Sequence, residues 1–198
     1  MVSATMSAAR IGPNAIIQTI ASLREVYGPD ELRALLAGDA EGYLSHLPHE
    51  MIPEAEFHVL VELLTARLGA ERAGEILHRA GERTADYVRA NRIPAPIRTV
   101  LGLLPAPLSL RLLLPAISKH AWTFVGSGVF SFSIGRTPSV SIGRSVSQDT
   151  SGIASVLCRY YYGAFTQMLR RVVNSRISLR EVACQARSGS ACVYQIEI

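Results

Sequence analysis

Hydrophobic positions in the first hundred residues recur at helical spacing. In "PEAEFHVLVELLTARLG", Phe57, Leu60, Val61, Leu64 and Leu68 fall on one stripe, and Gly69 follows as a stop. Pro13 suits the first turn of a helix running to about Tyr27, with Gly28 ending it. Pro29, Asp30 and Glu31 open a second helix that Gly38 closes, and another fits Glu71 to about Arg92 before "IPAPI" breaks it. The most apolar stretch, Thr99 to Ile117, is as long as a membrane span. It carries Arg111 and three prolines, Pro105, Pro107 and Pro115, which predicts a buried, broken helical segment instead.

The pattern changes at Trp122. Trp122, Phe124, Phe130, Phe132 and Ile134 occupy alternating positions, which is strand periodicity, and "SVSIGRSVS" continues it. The segment "SGIASVLCRYYYGAFTQMLRRVV" returns to a helix with Ser151 as its cap, and the tail from about Ile177 reads as a hairpin. The predicted class is α+β: N-terminal helices packed with an antiparallel sheet, then a C-terminal helix plus β-hairpin. Residues 1–9 read as a flexible N-terminus and 10–198 as a single domain, helical over about 10–120 and mixed over about 121–198.

The hairpin places the cysteines. A three-residue loop Arg187-Ser188-Gly189 would set Ala186 against Ser190, and so Cys184 against Cys192, on a face shared with Val182, Tyr194 and Ile196. Cys158, one helical turn before Tyr162 and two before Phe165, can face the same sheet. Three converging thiols admit three readings. Packing is favoured, since free cysteines are small hydrophobes. A reversible thiol pair is the second, and a metal the third, with His120 or a partner chain as the missing fourth ligand. The spacing matches no zinc or iron–sulfur pattern, so no metal is expected.

Composition adds limits. Of 198 residues, 48% are hydrophobic and 18% charged, enough apolar material for a large core. The net charge of +4 is unevenly spread: residues 1–100 hold 13 acids and 10 bases, residues 101–198 hold 3 acids and 10 bases. Those bases stand singly apart from Arg170-Arg171, and no nucleic-acid motif accompanies them, so no nucleic-acid partner is expected. The start lacks the charged-then-apolar order of a secretion signal, and three cysteines are an odd number. Both point to a reducing cytoplasm rather than a disulfide scaffold.

Little catalytic chemistry is legible. Gly126-Ser127-Gly128 begins a phosphate-binding glycine pattern, but Ser131 stands where the third glycine belongs and strand follows where a helix should. A glycine bend within a sheet explains it better. No Gly-x-Ser-x-Gly elbow is present. His120 lies two residues before Trp122; an imidazole can ligate the magnesium of a tetrapyrrole and an indole can lie on a macrocycle.

Four stretches, "RIGPNAIIQ", "AGERTADYVRANRIP", "AISKHAWTFVGSGVFSF" and "EVACQARSGSACVYQI", resemble the pigment-biosynthesis branch of the 4-vinyl-reductase domain family. The resemblance runs from about Arg10 to Ile196, and Glu181, Cys184, Gly189 and Cys192 carry the general domain pattern. It implies an α+β ligand-binding fold similar to nitric-oxide sensors and a Golgi-transport subunit. It also implies reduction of a vinyl group to ethyl on a chlorophyllide precursor. That reaction needs two electrons, and no site for a nicotinamide, flavin or iron–sulfur donor is recognisable. The expectation is therefore a carrier or enzyme accessory that binds a Mg-tetrapyrrole, with the reductase itself as the alternative and a scaffold that docks other pathway enzymes through the Arg-rich half as the third. NADPH or ferredoxin would enter only if the protein is a reductase.

On that expectation His120 is an axial ligand and Trp122 a stacking wall. Phe130 and Phe132 line the pocket, and Arg111 or Arg159 meets a propionate. Further expectations are pathway partners such as Mg-chelatase or the methyltransferase, a homodimer, and a cytoplasmic location peripheral to the photosynthetic membrane.

Overall fold

The computed structural model describes residues 9–143, 151–187 and 189–198. Residues 1–8 of the expected flexible N-terminus, and the "SVSIGRSVS" strand from Arg144 on, lie outside the described residues. The class is α+β, as the sequence predicts.

Helices α1 (Asn14–Arg24) and α2 (Pro29–Leu36) start at the prolines that announce them. The long α3 (Glu54–Asn91) joins the two helices expected on either side of Gly69, which adopts φ 78°, a conformation that favours glycine and bends the element. Two-residue strands β1 (Arg10–Ile11) and β2 (Ile52–Pro53) pair antiparallel in front of α1 and α3. They are too short to leave a periodic signal. The apolar stretch is broken as expected but only partly buried: it forms two helices, α4 (Ala95–Leu103) and α5 (Ala106–Lys119), each entered through a proline, with Val100, Leu103, Leu108 and Leu112 exposed, and the Ser109 hydroxyl donates to the Leu101 carbonyl to tie them. Among the described residues no helix is long and apolar enough to cross a membrane.

The one-turn helix α6 (Trp122–Val125) leads to β3 (Val129–Ser133), β4 (Ser139–Gly143), α7 (Ala154–Val172), β5 (Ser178–Ala183) and β6 (Ala191–Glu197). The four strands form one antiparallel sheet in the order β3-β4-β6-β5. Register aligns Phe130 with Ile142, Ile142 with Cys192, Val140 with Tyr194 and Leu179 with Ile196, so one face is apolar throughout. That face packs on α7, whose Cys158, Phe165 and Leu169 join the sheet's core. Val156, Leu157 and Tyr160 of α7 join a second core with α1, α2 and α3. The helix α7 is thus a partition with a core on each side.

Four expectations need correction. Trp122 and Phe124 are helical, not strand: Val125 N–H bonds the Ala121 carbonyl at 3.0 Å, and the strand begins only at Val129. Short-range backbone bonds there override aromatic β-propensity. Gly126, with φ 57°, turns the chain between that helix and β3 rather than within a sheet. The helix α7 begins at Ala154 after a 3-10 turn over Ser151–Ile153, with Ile153 at the cap position.

The hairpin also departs from the expected register. Cys184 does not pair with Cys192. Residues Gln185–Arg187 form a 3-10 turn, Ala183 pairs with Val193, and Cys192 pairs with Ile142 on the neighbouring strand. Between Glu181, which faces Tyr194, and Ala183, β5 holds one residue more than β6. That bulge turns Val182 outward, while Tyr194 and Ile196 stay buried.

Candidate functional site

The same bulge builds a cluster. Residues three apart in a regular strand point to opposite faces, but one extra residue between them restores a common face. Glu181 and Cys184 therefore meet Cys158 of α7 and Cys192 of β6, with their three sulfurs and a carboxylate oxygen all within 4.8 Å of one another. Cys158 and Cys192 are joined in a disulfide, and Cys184 is free and buried with Sγ 3.8 Å from the Cys158 sulfur. The bridge is not one the sequence reading anticipates; it forms because α7 lays Cys158 directly over β6.

Once the bridge is reduced, three thiols and one carboxylate offer four donor atoms of types that zinc accepts. Within this cluster the fourth ligating atom is a Glu181 oxygen, and His120, at the end of α5, is not among the grouped residues. Arg187 donates to the Glu181 carboxylate at 2.6 Å and holds it in place. The one sequence signal for Glu181 is its membership of the domain pattern.

Above the cluster lies an aromatic layer. The ring of Phe165 on α7 stands 5.7 Å from Phe130, 6.2 Å from Phe124 and 6.4 Å from Tyr194. Phe130 also meets Phe124 at 5.9 Å and Phe132 at 6.2 Å. Tyr194 connects the layer to the cluster, since its hydroxyl donates to the Cys158 carbonyl at 2.8 Å. Burial, with the nearby Glu181 and Cys184 adding to it, pushes the Tyr194 phenol well above its ordinary range, so it stays a neutral donor.

The turn from α5 to β3 is pinned from below. The buried Glu54 carboxylate accepts from the Ser127 N–H at 3.0 Å and from its hydroxyl at 2.8 Å. Gly12 N–H donates to the Thr123 carbonyl at 2.7 Å, and the Tyr161 hydroxyl to the Phe124 carbonyl at 3.2 Å. Ser127 is thus held by a carboxylate, which would repel a phosphate.

The structure sorts the predicted ligand residues. Phe130 is buried and Phe132 half-buried in the aromatic layer. His120 ends α5 and Trp122 opens α6, and both are exposed on the turn that carries Phe124 inward. Arg111 is exposed on α5, opposite the buried Leu110, Leu113 and Leu114. Arg159 lays its side chain over Gly74, on the side of α7 that meets α3. Phe124 and Phe165 belong to the same layer and were not singled out as ligand residues, because neither neighbours the other in sequence.

No family model matches the chain. It is 37% identical over 188 residues to the bacteriochlorophyll synthase 23 kDa chain of Cereibacter sphaeroides, spanning 94% of this chain and 90% of that one. It is 33% identical over 191 residues to the protein of the same name from Rhodobacter capsulatus, spanning 93% and 85%. Among solved structures it is similar to a mutant H-NOX protein from K. algicida in an Fe(II) unliganded state, with TM-score 0.58, 10% identity and coverage of 94% and 96%. An H-NOX protein from S. oneidensis in the Fe(II)NO ligation state gives TM-score 0.54, 10% identity and coverage of 94% and 98%. These likenesses establish the fold expected from the nitric-oxide sensors. The near full-length identity to the two curated relatives establishes more: the chain belongs to the bacteriochlorophyll synthase 23 kDa chain family.

Proposed function

We propose that this protein binds a Mg-tetrapyrrole intermediate of bacteriochlorophyll synthesis and acts as its carrier or as an accessory to a pathway enzyme. The observation that carries the reading is the likeness along nearly the whole chain to two proteins named as chains of bacteriochlorophyll synthase. The proposed site lies where α5 ends and α6 begins. His120 is the axial ligand and Trp122 the stacking group, both accessible from solvent. Phe124, Phe130 and Phe132 are the floor that a flat ligand reaches when α5 shifts away from the sheet, since in the structure those rings pack on one another. Arg111 shares α5 with His120 and is the propionate partner in this reading. The acceptor of the pigment would be a pathway enzyme such as Mg-chelatase or the methyltransferase.

Titration of the purified protein with Mg-protoporphyrin tests the site. The expected result is a shifted absorption band that His120→Ala abolishes and Trp122→Ala weakens. An unshifted band, or a His120→Ala variant that behaves as wild type, overturns the reading. Reduction of a vinyl group on the same ligand is the activity implied by the family resemblance. Anaerobic incubation with divinyl substrate, NADPH and ferredoxin separates it from carriage, because only a reductase yields the ethyl product.

A further inference from the structure

From Tyr87 through Gln148 the chain contains no Asp or Glu, while Arg92, Arg98, Arg111 and Lys119 punctuate the same stretch. Within it, α4 and α5 leave large apolar side chains in solvent: Ile97, Val100 and Leu103 on α4, Leu108 and Leu112 on α5, and Trp122 just beyond. Leu103, at the turn between the helices, is 81% exposed, and Trp122 62%. A surface helix ordinarily turns a polar face outward. The helix α5 instead buries Leu110, Leu113 and Leu114 and exposes Leu108, Leu112 and Pro115, so it is apolar on both sides.

The charge pattern selects what covers this face. A second copy of the chain would set its Arg92, Arg111 and Lys119 against the same cations of its partner, with no acid in the stretch to relieve the repulsion. An anionic lipid surface meets both halves of the pattern, apolar side chains in the headgroup boundary and cations at its negative charge. At 1.5 Å per residue, the 14 residues of α5 reach about 21 Å, short of the roughly 30 Å hydrocarbon core. A helix of that length is too short to span a bilayer and suits its surface.

We propose that the α4–α5 hairpin is an interfacial anchor that seats this protein on anionic lipid bilayers, with Leu103 and Leu112 inserted and Arg111 and Lys119 on the headgroups. The anchor does not depend on pigment binding, and its test uses pigment-free protein. The full chain is floated with vesicles of phosphatidylcholine alone and of an equal mixture of phosphatidylcholine and phosphatidylglycerol, while emission of Trp122, the only tryptophan, is recorded.

Wild type is expected to float with the mixed vesicles and to shift its emission to the blue. Leu103→Glu with Leu112→Glu should lower the bound fraction roughly tenfold or more, as should Arg111→Gln with Lys119→Gln, and added salt should weaken binding. All four positions are exposed, and matching circular dichroism confirms that the variants fold. Absence of wild-type flotation with unchanged Trp122 emission overturns the proposal. So does flotation that survives the Leu→Glu pair. A dimer that Leu103→Glu dissociates, in protein that ignores vesicles, assigns the face to a second copy instead.

Discussion

Gly163 of α7 rests directly on the backbone carbonyl of His78 in α3, and a Cβ built on it would overlap that oxygen. The contact is reciprocal: a Cβ on Gly81 of α3 would overlap the Tyr160 carbonyl and stand 2.8 Å from the Ala164 nitrogen. The two helices cross backbone to backbone, which brings Cys158 and Phe165 down onto the sheet.

Alanine at either glycine therefore tests two opposed effects. Alanine favours an isolated helix over glycine by about 1 kcal/mol. Forcing apart two main chains costs about 1–3 kcal/mol or more, because neither carbonyl can swing away without losing its helix bond. Gly163→Ala and Gly81→Ala should thus each lower the urea midpoint. A raised midpoint would show that the crossing is loose.

Glu54 and Gly126 are expected to depend on one another. A Cβ at Gly126 would lie 2.7 Å from both Glu54 carboxylate oxygens, and Gly126 also holds φ 57°. Glu54→Ala strands the Ser127 N–H and should cost about 1–3 kcal/mol in thermal unfolding. Gly126→Ala should cost less in the Glu54→Ala background than in wild type, since the overlap disappears and only the backbone strain persists.

The thiol cluster has two readouts. Cys158 and Cys192 stand 34 residues apart, so reducing their bridge should lower stability by about 2–4 kcal/mol. The reduced protein should then take up one Zn(II) per chain in a colorimetric competition assay. Cys184→Ser and Glu181→Gln should each weaken uptake roughly tenfold or more while leaving the bridge able to form. Equal uptake by wild type and Glu181→Gln would exclude the carboxylate as a donor.

Alkaline pH should unfold the protein through its buried phenols. Burial raises Tyr160 from 10.0 to about 12, and Thr84 is its hydroxyl partner at 3.0 Å. Below pH 10 the phenol is protonated in both states and stability is flat. Above pH 10 the unfolded chain releases a proton that the folded chain keeps, so stability falls as pH rises toward 12. The full difference is on the order of 2–3 kcal/mol. Tyr160→Phe should flatten this decline in urea titrations across that range; an unchanged slope would place the effect on other groups.

The site was legible in part. The stripe from Phe57 to Leu68, the stop at Gly69 and the prolines before α4 and α5 gave the helical half its shape, because helix periodicity and proline geometry act within a few residues. The inward side chains of β6, Cys192, Tyr194 and Ile196, were also readable from alternation. Alternation misled at Trp122, where aromatic spacing suggested a strand but backbone bonds from Phe124 and Val125 to the Ala121 carbonyl close a helical turn.

What the sequence determined by itself was most of the long helices and the alternation of β6, the α+β class, an interior rich in apolar side chains and an acid-free stretch beside α4 and α5. Those follow from local spacing and composition. Tertiary structure alone decided that a bulge carries Glu181 to the thiols, that Cys158 bridges Cys192, that Phe124 and Phe165 share a layer, and that two glycines let α3 and α7 touch. Each depends on which distant segment arrives at a given residue, and that is set by the packing of the whole chain rather than by any neighbour in sequence.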